Sequence, residues 1–226
     1  MIEFNQNEQQ EIPEAAAATA KVIGVGGAGS NVVDRLAMES MDGAALLSVH
    51  TDVRALANAV TSDRIQLGKK LTHGLGAGGD PEIGRRAALE AEDDIRAAVN
   101  RYKMVFVCAG LGGGTGSGAA PEIVRMAREA GAFVVAFVTM PFSFEGPRRL
   151  EQAKQSLDVM RREANALITF DNDRMGELIV ESEGIQKAFE ECDKLISGSI
   201  RGVAALVTRP GLIKIGLDDL LTALRN

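Results

Sequence analysis

Two glycine-rich stretches, each directly behind an apolar run that reads as a buried strand, constrain the fold more than any other feature of this chain. The first runs from Gly24 to Asn31 behind Ala20–Ile23, and the second from Gly112 to Gly118 behind Met104–Cys108. A glycine turn between strand and helix lets backbone N–H groups and the positive helix end close around a phosphate. One such turn says little. Gly24, Gly26 and Gly29 also satisfy the dinucleotide fingerprint, and Asp52 stands about 20 residues on, where that fingerprint keeps its ribose-binding acid. What the dinucleotide reading leaves unexplained is the second turn, where glycines permit close approach and Thr115 and Ser117 offer hydroxyls ahead of a helix. A P-loop is excluded, because Gly68 and Lys69 are followed by Lys70 with no glycine at the required distance before them.

Around the turns, strand-like runs at Ala20–Val25, Ala44–His50, Met104–Ala109, Phe133–Val138 and Ala166–Phe170 alternate with helical patterns at Asn31–Met38, Gly84–Arg101, Pro121–Glu129 and Leu150–Glu163; a shorter strand is expected at Arg64–Leu67. This alternation predicts an α/β fold, a Rossmann-like parallel sheet with helices on both faces, whose ligands bind beyond the carboxyl ends of the strands. A long central helix is expected over Ile185–Thr208, stopped by Arg209, Pro210 and Gly211, with Ile185, Ala188, Phe189, Cys192, Leu195 and Ile196 in helical period. The expected organisation is a disordered tail over residues 1–16, a nucleotide domain over 17–183, the central helix over 184–210 and a loop with the start of a next helix over 211–226.

Composition narrows the function. With 226 residues, 25 Gly, one Tyr and no Trp, recognition falls to backbone turns rather than aromatic surfaces. A net charge of −6 argues against nucleic acid as the main partner, since neutralising phosphates needs a basic face. Cys108 and Cys192, the only cysteines, lie in apolar patterns and read as buried small hydrophobes rather than a disulfide or metal set. His50 and His73 pair with neither Cys nor acid at metal-ligand spacing. Met1 to Glu14 is polar and lacks the cationic and apolar sections of a signal peptide, and no apolar run reaches the roughly 20 residues of a membrane span. A cytoplasmic protein without direct membrane insertion is expected.

The stretch Gly112 to Gly118 resembles the signature of the tubulin/FtsZ superfamily. Lys21 to Gly29, Thr51 and Asp52, Gly74 to Gly78, Pro141 to Gly146 and Thr208 to Leu212 resemble the FtsZ proteins of bacterial cell division, in the same order and spacing, and the likeness runs from about Ala20 to Leu224. The resemblance implies GTP or GDP as ligand. Gly26, Gly27, Ala28 and Asn31 would lie at the α and β phosphates and the base, and Gly76, Ala77 and Gly78 with Gly112, Gly113, Gly114, Thr115 and Gly116 around the β and γ phosphates. Glu145 matches the family's ribose-contacting acid and Arg149 its sugar-phosphate-side cation; a solvated charged turn is the alternative for both. Asn172 and Asp193 match the base readers, and Phe189 the ring that packs on the base. A carboxylate suits guanine, which offers N1–H and an exocyclic amine to it; adenine lacks that donor pair. Asp80 reads equally as a helix N-cap and as a ligand contact. Magnesium accompanying the nucleotide would be held through phosphate oxygens and water.

The resemblance also implies hydrolysis completed in trans, by a loop that brings one Asn and two Asp into the neighbour's pocket. Here Lys214 replaces the Asn, Gly216 replaces the first Asp and only Asp219 remains, with Asp218 as an added acid beside it. Losing a group that positions the attacking water costs about 10²–10⁴-fold in rate, so slow or absent turnover is expected. The family's C-terminal activation domain is expected to be absent. Two functions therefore stand open: a self-assembling GTPase of cell division, or a non-hydrolysing GTP/GDP-binding protein that dimerises or modulates FtsZ filaments. The dinucleotide-dependent oxidoreductase explains neither Gly112–Gly118 nor Asn172 and Asp193.

Overall fold

The computed structural model describes residues 20–41, 43–177 and 184–208. The expected tail, and the loop with Lys214, Gly216, Asp218 and Asp219, lie outside the described residues. Six strands form one parallel sheet: β1 (Ala20–Val25), β2 (Ala44–His50), β3 (Arg64–Gln66), β4 (Met104–Gly110), β5 (Phe133–Met140) and β6 (Ala166–Asp171). Their order is β3-β2-β1-β4-β5-β6, the Rossmann arrangement, in which the chain winds outward in opposite directions from the β1–β4 pair. The two glycine stretches follow these two strands, so both fall at the point where strand order reverses. β1 and β5 are buried on both faces over nearly their whole length, which is why they read as unbroken apolar runs rather than alternating ones.

Helices cover both faces. On one side α4 (Pro81–Glu90), α5 (Glu92–Val99), α6 (Gly114–Glu129) and α7 (Pro147–Glu163) pack on Ile23, Val25, Val105, Val107 and Val134. On the other, Val32, Val33 and Leu36 of α1 (Gly26–Met38) meet Ile196 and Ile200 of α9 (Gly184–Thr208) beneath Phe106, Val135 and Phe137. Short helices α2 (Val53–Asn58), α3 (Lys69–Thr72) and α8 (Asn172–Glu177) complete the framework. No helix among the described residues is long and apolar enough to cross a membrane.

Two expectations need correction. The helix expected over Gly84–Arg101 is two helices: Ala91, at φ −100° and ψ 18°, leaves helical geometry, and Glu92, Asp93 and Asp94 then supply negative charge to a new first turn. The apolar period crosses that break without a signal. The glycine stretches, in turn, are largely helix rather than turn, since α1 starts at Gly26 and α6 at Gly114. Gly118 is glycine for packing: a Cβ there would stand 1.9 Å from the carbonyl oxygen of Pro81 at the start of α4. Pro121 sits inside α6 and has no N–H to give Ser117 four residues earlier. The Ser156 hydroxyl of α7 donates to that carbonyl instead, at 2.8 Å.

Candidate functional site

A cleft of about 340 Å³ opens at the carboxyl ends of β1, β4 and β5, within the range of sites that enclose small ligands. One end is built from the N-termini of α1 and α6: Gly26, Gly27, Ala28, Gly113, Gly114, Thr115 and Gly116 line it. These helices run 13 and 16 residues, and neither has a side-chain cap at its N-terminus, so their first N–H groups are left to a ligand. Close backbone packing shapes this end. A Cβ on Gly116 would come 2.1 Å from the Gly110 carbonyl oxygen, whereas one on Gly27 would meet nothing within 4 Å. Gly116 therefore brings α6 against the end of β4, and Gly27 leaves open the space a ligand would use.

Side chains from four separate elements build the opposite end. Asn172, the first residue of α8, lines the cleft, is 6% exposed, and its Oδ1 is buried with no hydrogen-bond partner among the described residues. Phe189 on α9 also lines the cleft and meets Phe142 edge to face at 4.9 Å; Phe142 in turn packs with Met175 and Cys192. Between the ends lie Glu145, in a single 3-10 turn over Ser143–Glu145, and Arg149 on the first turn of α7. Glu145 accepts from the Phe142 N–H at 2.9 Å through one oxygen and pairs with Arg149 through the other. Asp173 next to Asn172 accepts from the Ser143 N–H at 3.0 Å, tying this turn to α8.

Asp193 lies one turn beyond Phe189, outside the lining of the cleft. Burial pushes its carboxyl up to about 6, against the opposing pull of Arg35 and a side-chain hydrogen bond from Asn31. Asn31 is thereby committed to α9 rather than to the lining. Gly76, Ala77 and Gly78 also stand outside the lining, in the connection from α3 to α4. That connection folds back on the β2–α2 turn through a bridge between Asp52 and Leu75, and Ala77 packs against Gly114. Gly112, at φ +99°, sets the approach to α6, with its Cα side against Arg149 and Pro141.

Other candidates take structural roles. Asp52 is the N-cap of α2, accepting from the Arg54 and Ala55 N–H groups, bonds that hold its carboxyl below the usual range. Asp80 caps α4, accepting from the Glu82 N–H at 2.8 Å. His50 Nδ1 accepts from the Asp52 N–H at 2.8 Å, and burial keeps its imidazole below its ordinary value despite the nearby Asp52 charge. Pro141, offered by the sequence only as part of a shared motif, also lines the cleft, and Gly110, Leu111 and Thr139 do so without having been singled out from sequence. Their signal is strand register, since Gly110 stands opposite Thr139 where β4 and β5 end. Thr51, which the sequence offers only as part of a shared motif, bonds the Thr115 hydroxyl at 2.7 Å.

The arrangement suits an elongated ligand with an anionic end at the two helix N-termini and a planar end between Asn172 and Phe189. The GTPase-domain model of the tubulin/FtsZ family matches residues 19–180. A cell division protein FtsZ from Aquifex aeolicus (strain VF5) is 44% identical over 206 residues, which cover 91% of this chain and 56% of that protein. Among solved structures, an empty FtsZ dimer from M. jannaschii superposes with a TM-score of 0.89 at 37% identity, over 94% of this chain and 62% of that one. CetZ1 from Haloferax volcanii, a GDP-bound monomer, superposes with a TM-score of 0.79 at 26% identity, over 92% of this chain and 64% of that one. The chain thus spans less than two thirds of the length of each of these relatives.

Proposed function

The chain belongs to the tubulin/FtsZ family, and from that premise we propose that it binds GTP and GDP in the cleft between α1 and α6 and self-assembles as an FtsZ-like cytoskeletal protein of cell division. The observation that carries this reading is the buried Oδ1 of Asn172, unpartnered among the described residues, at the end of the cleft opposite the two helix N-termini. A buried acceptor without a donor is costly and rare in a folded protein, and a guanine amine or N1–H would satisfy it. Phosphates would rest on the N–H groups of Gly26, Gly27, Ala28 and Gly113 to Gly116, with Gly76 to Gly78 and Gly112 supporting them from outside the lining, and Asn31 would hold Asp193 toward the base. Phe189 would pack on the base and Asp193 accept from it, while Arg149 would serve the sugar-phosphate side. Both oxygens of Glu145 already accept hydrogen bonds, so a ribose contact would use its remaining lone pairs. Magnesium would be held through phosphate oxygens and water, as this hard ion prefers.

Hydrolysis, in this reading, is completed by Asp219 of a neighbouring copy and is slow, because Lys214 and Gly216 stand where the family carries Asn and Asp. That replacement favours a second reading, a GTP/GDP-binding protein that assembles or modulates filaments without turnover. Phosphate release from GTP, measured with magnesium over rising protein concentration, separates the two. Specific activity climbing above a critical concentration marks the self-assembling GTPase; zero release from protein that retains guanine nucleotide marks the binding module. Lys214→Asn combined with Gly216→Asp is expected to raise the rate, and a rate left unchanged would remove the explanation offered for slow turnover.

A further inference from the structure

The hydroxyl pair between Thr51 and Thr115 carries an inference that rests on the nucleotide reading and deepens it. Thr51 is fully buried in the turn between β2 and α2, 64 residues from its partner, and Thr115 is 8% exposed on the first turn of α6, where it lines the cleft. Their oxygens lie 2.7 Å apart, so one hydroxyl donates to the other. The direction follows from what else each proton can reach. Among the described residues, Thr115 Oγ1 is the one hydrogen-bond partner of Thr51 Oγ1. With Thr115 as donor, the Thr51 proton would be buried without an acceptor, the costly arrangement for a polar group. With Thr51 as donor both needs are met, and the Thr115 proton is free to turn into the cleft.

We propose that Thr51 is a positioning residue for the anionic end of the cleft: by donating to Thr115 it holds the Thr115 hydroxyl as a donor to a nucleotide phosphate. The opposite polarity would present oxygen lone pairs to an anion. The turn that carries Thr51 is itself fixed from several sides. The Thr72 hydroxyl donates to the Thr51 carbonyl at 3.2 Å, Asp52 caps α2, and the Asp52–Leu75 bridge closes the connection to α4 over the turn. The orientation of one cleft hydroxyl is thus set by an element that contributes no lining residue of its own.

The test measures GDP and guanosine binding to the 226-residue chain by calorimetry, for the unsubstituted protein and for Thr51→Val, Thr51→Ser and Thr115→Val. Thr51→Val keeps the shape and removes the donor. It is expected to weaken GDP binding by up to about tenfold, the range for one neutral hydrogen bond, because the Thr115 hydroxyl is kept but no longer held as a donor, and to leave guanosine, which has no phosphate, unchanged. Thr51→Ser restores the donor and GDP affinity with it. In a Thr115→Val background, Thr51→Val adds no further loss. The proposal is overturned by equal losses for both ligands, by Thr51→Ser behaving like Thr51→Val, by additive losses in the double variant, or by unchanged GDP binding. Should Thr51→Val fail to fold, Thr51→Ala, which removes the same donor without adding a methyl, is read against the same outcomes. Failure of the unsubstituted protein to bind GDP would defeat the nucleotide reading itself and this inference with it.

Discussion

At the glycine end of the cleft the walls are backbone, supplied by the first turns of two helices placed where strand order reverses, and the side chains there are small. At the other end the walls are side chains gathered from the 3-10 turn, α7, α8 and α9, and several of them hold one another: Glu145 with Arg149, Phe142 with Phe189, Asp173 with the Ser143 N–H. The backbone end depends on how closely two elements approach. The side-chain end depends on burying polar atoms, Asn172 Oδ1 without a partner among the described residues and Asp193 with a raised carboxyl, and so carries an energetic cost that a ligand would relieve. Where its backbones pack closely the first end should fail by losing the fold, and the second by losing the ligand while the fold persists.

Gly116→Ala tests the first half most severely. The added Cβ would lie 2.1 Å from the Gly110 carbonyl oxygen, backbone against backbone, so α6 must move off β4. A loss of more than about 3 kcal/mol is expected, at the large end for a single substitution, read as a collapse of the denaturation midpoint or as insoluble protein. A variant that melts with the unsubstituted protein would show that the two elements are free to separate.

Asn172→Ala should behave in the opposite way. It removes the unpartnered acceptor, so thermal stability should hold or rise, while GDP affinity falls about tenfold or more. Inosine diphosphate, which lacks the exocyclic amine, sharpens this. If Asn172 reads that amine, the substitution will cost GDP more than it costs the inosine nucleotide; equal losses would assign Asn172 to packing.

Asp193 gives the next effect, and its sign follows from burial. Its folded-state carboxyl sits near 6 against an ordinary 3.8, so the folded state holds the proton more tightly than the unfolded chain does. Stability associated with this group is fully present below pH 3.8 and is lost as pH rises to 6. Ligand affinity runs the other way, because the charged carboxylate is the form that accepts from guanine. GDP binding should weaken by up to about tenfold per pH unit below 6, the slope of one linked proton. Asp193→Asn should flatten that profile and raise the melting temperature at neutral pH. A profile that stays steep in the variant would place the titrating group elsewhere.

The two ends were also unequally legible in the sequence. Strands β1 and β2 begin and end where the apolar runs do, because glycine or an Asp cap stops them sharply. The glycine end was readable because backbone-built sites must spend glycine where chains approach. Yet the same glycines read as turn rather than helix, since one sequence does not show that Gly118 needs room for the carbonyl of the distant Pro81. At the side-chain end, Asn172, Phe189 and Asp193 were named through likeness to relatives, as no local period sets them apart from a core helix. Thr139 depends on strand register, and the Asp193 shift on burial beside α1.

Gly27→Ala has the smallest expected effect on the fold and divides the glycine end itself. Gly27 sits in the first turn of α1, a Cβ there meets nothing within 4 Å, and its backbone does not occupy the left-handed region. Alanine is favoured over glycine in helices by about 0.5–1 kcal/mol, so the variant should melt slightly higher than the parent protein. Its methyl group would nonetheless project into the space beside the α1 N–H groups, and GDP affinity should fall while guanosine affinity holds. A variant both more stable and weaker for phosphate would show that Gly27 is glycine for the ligand and Gly116 for the fold. Unchanged GDP binding would mean that the phosphate leans on α6 alone.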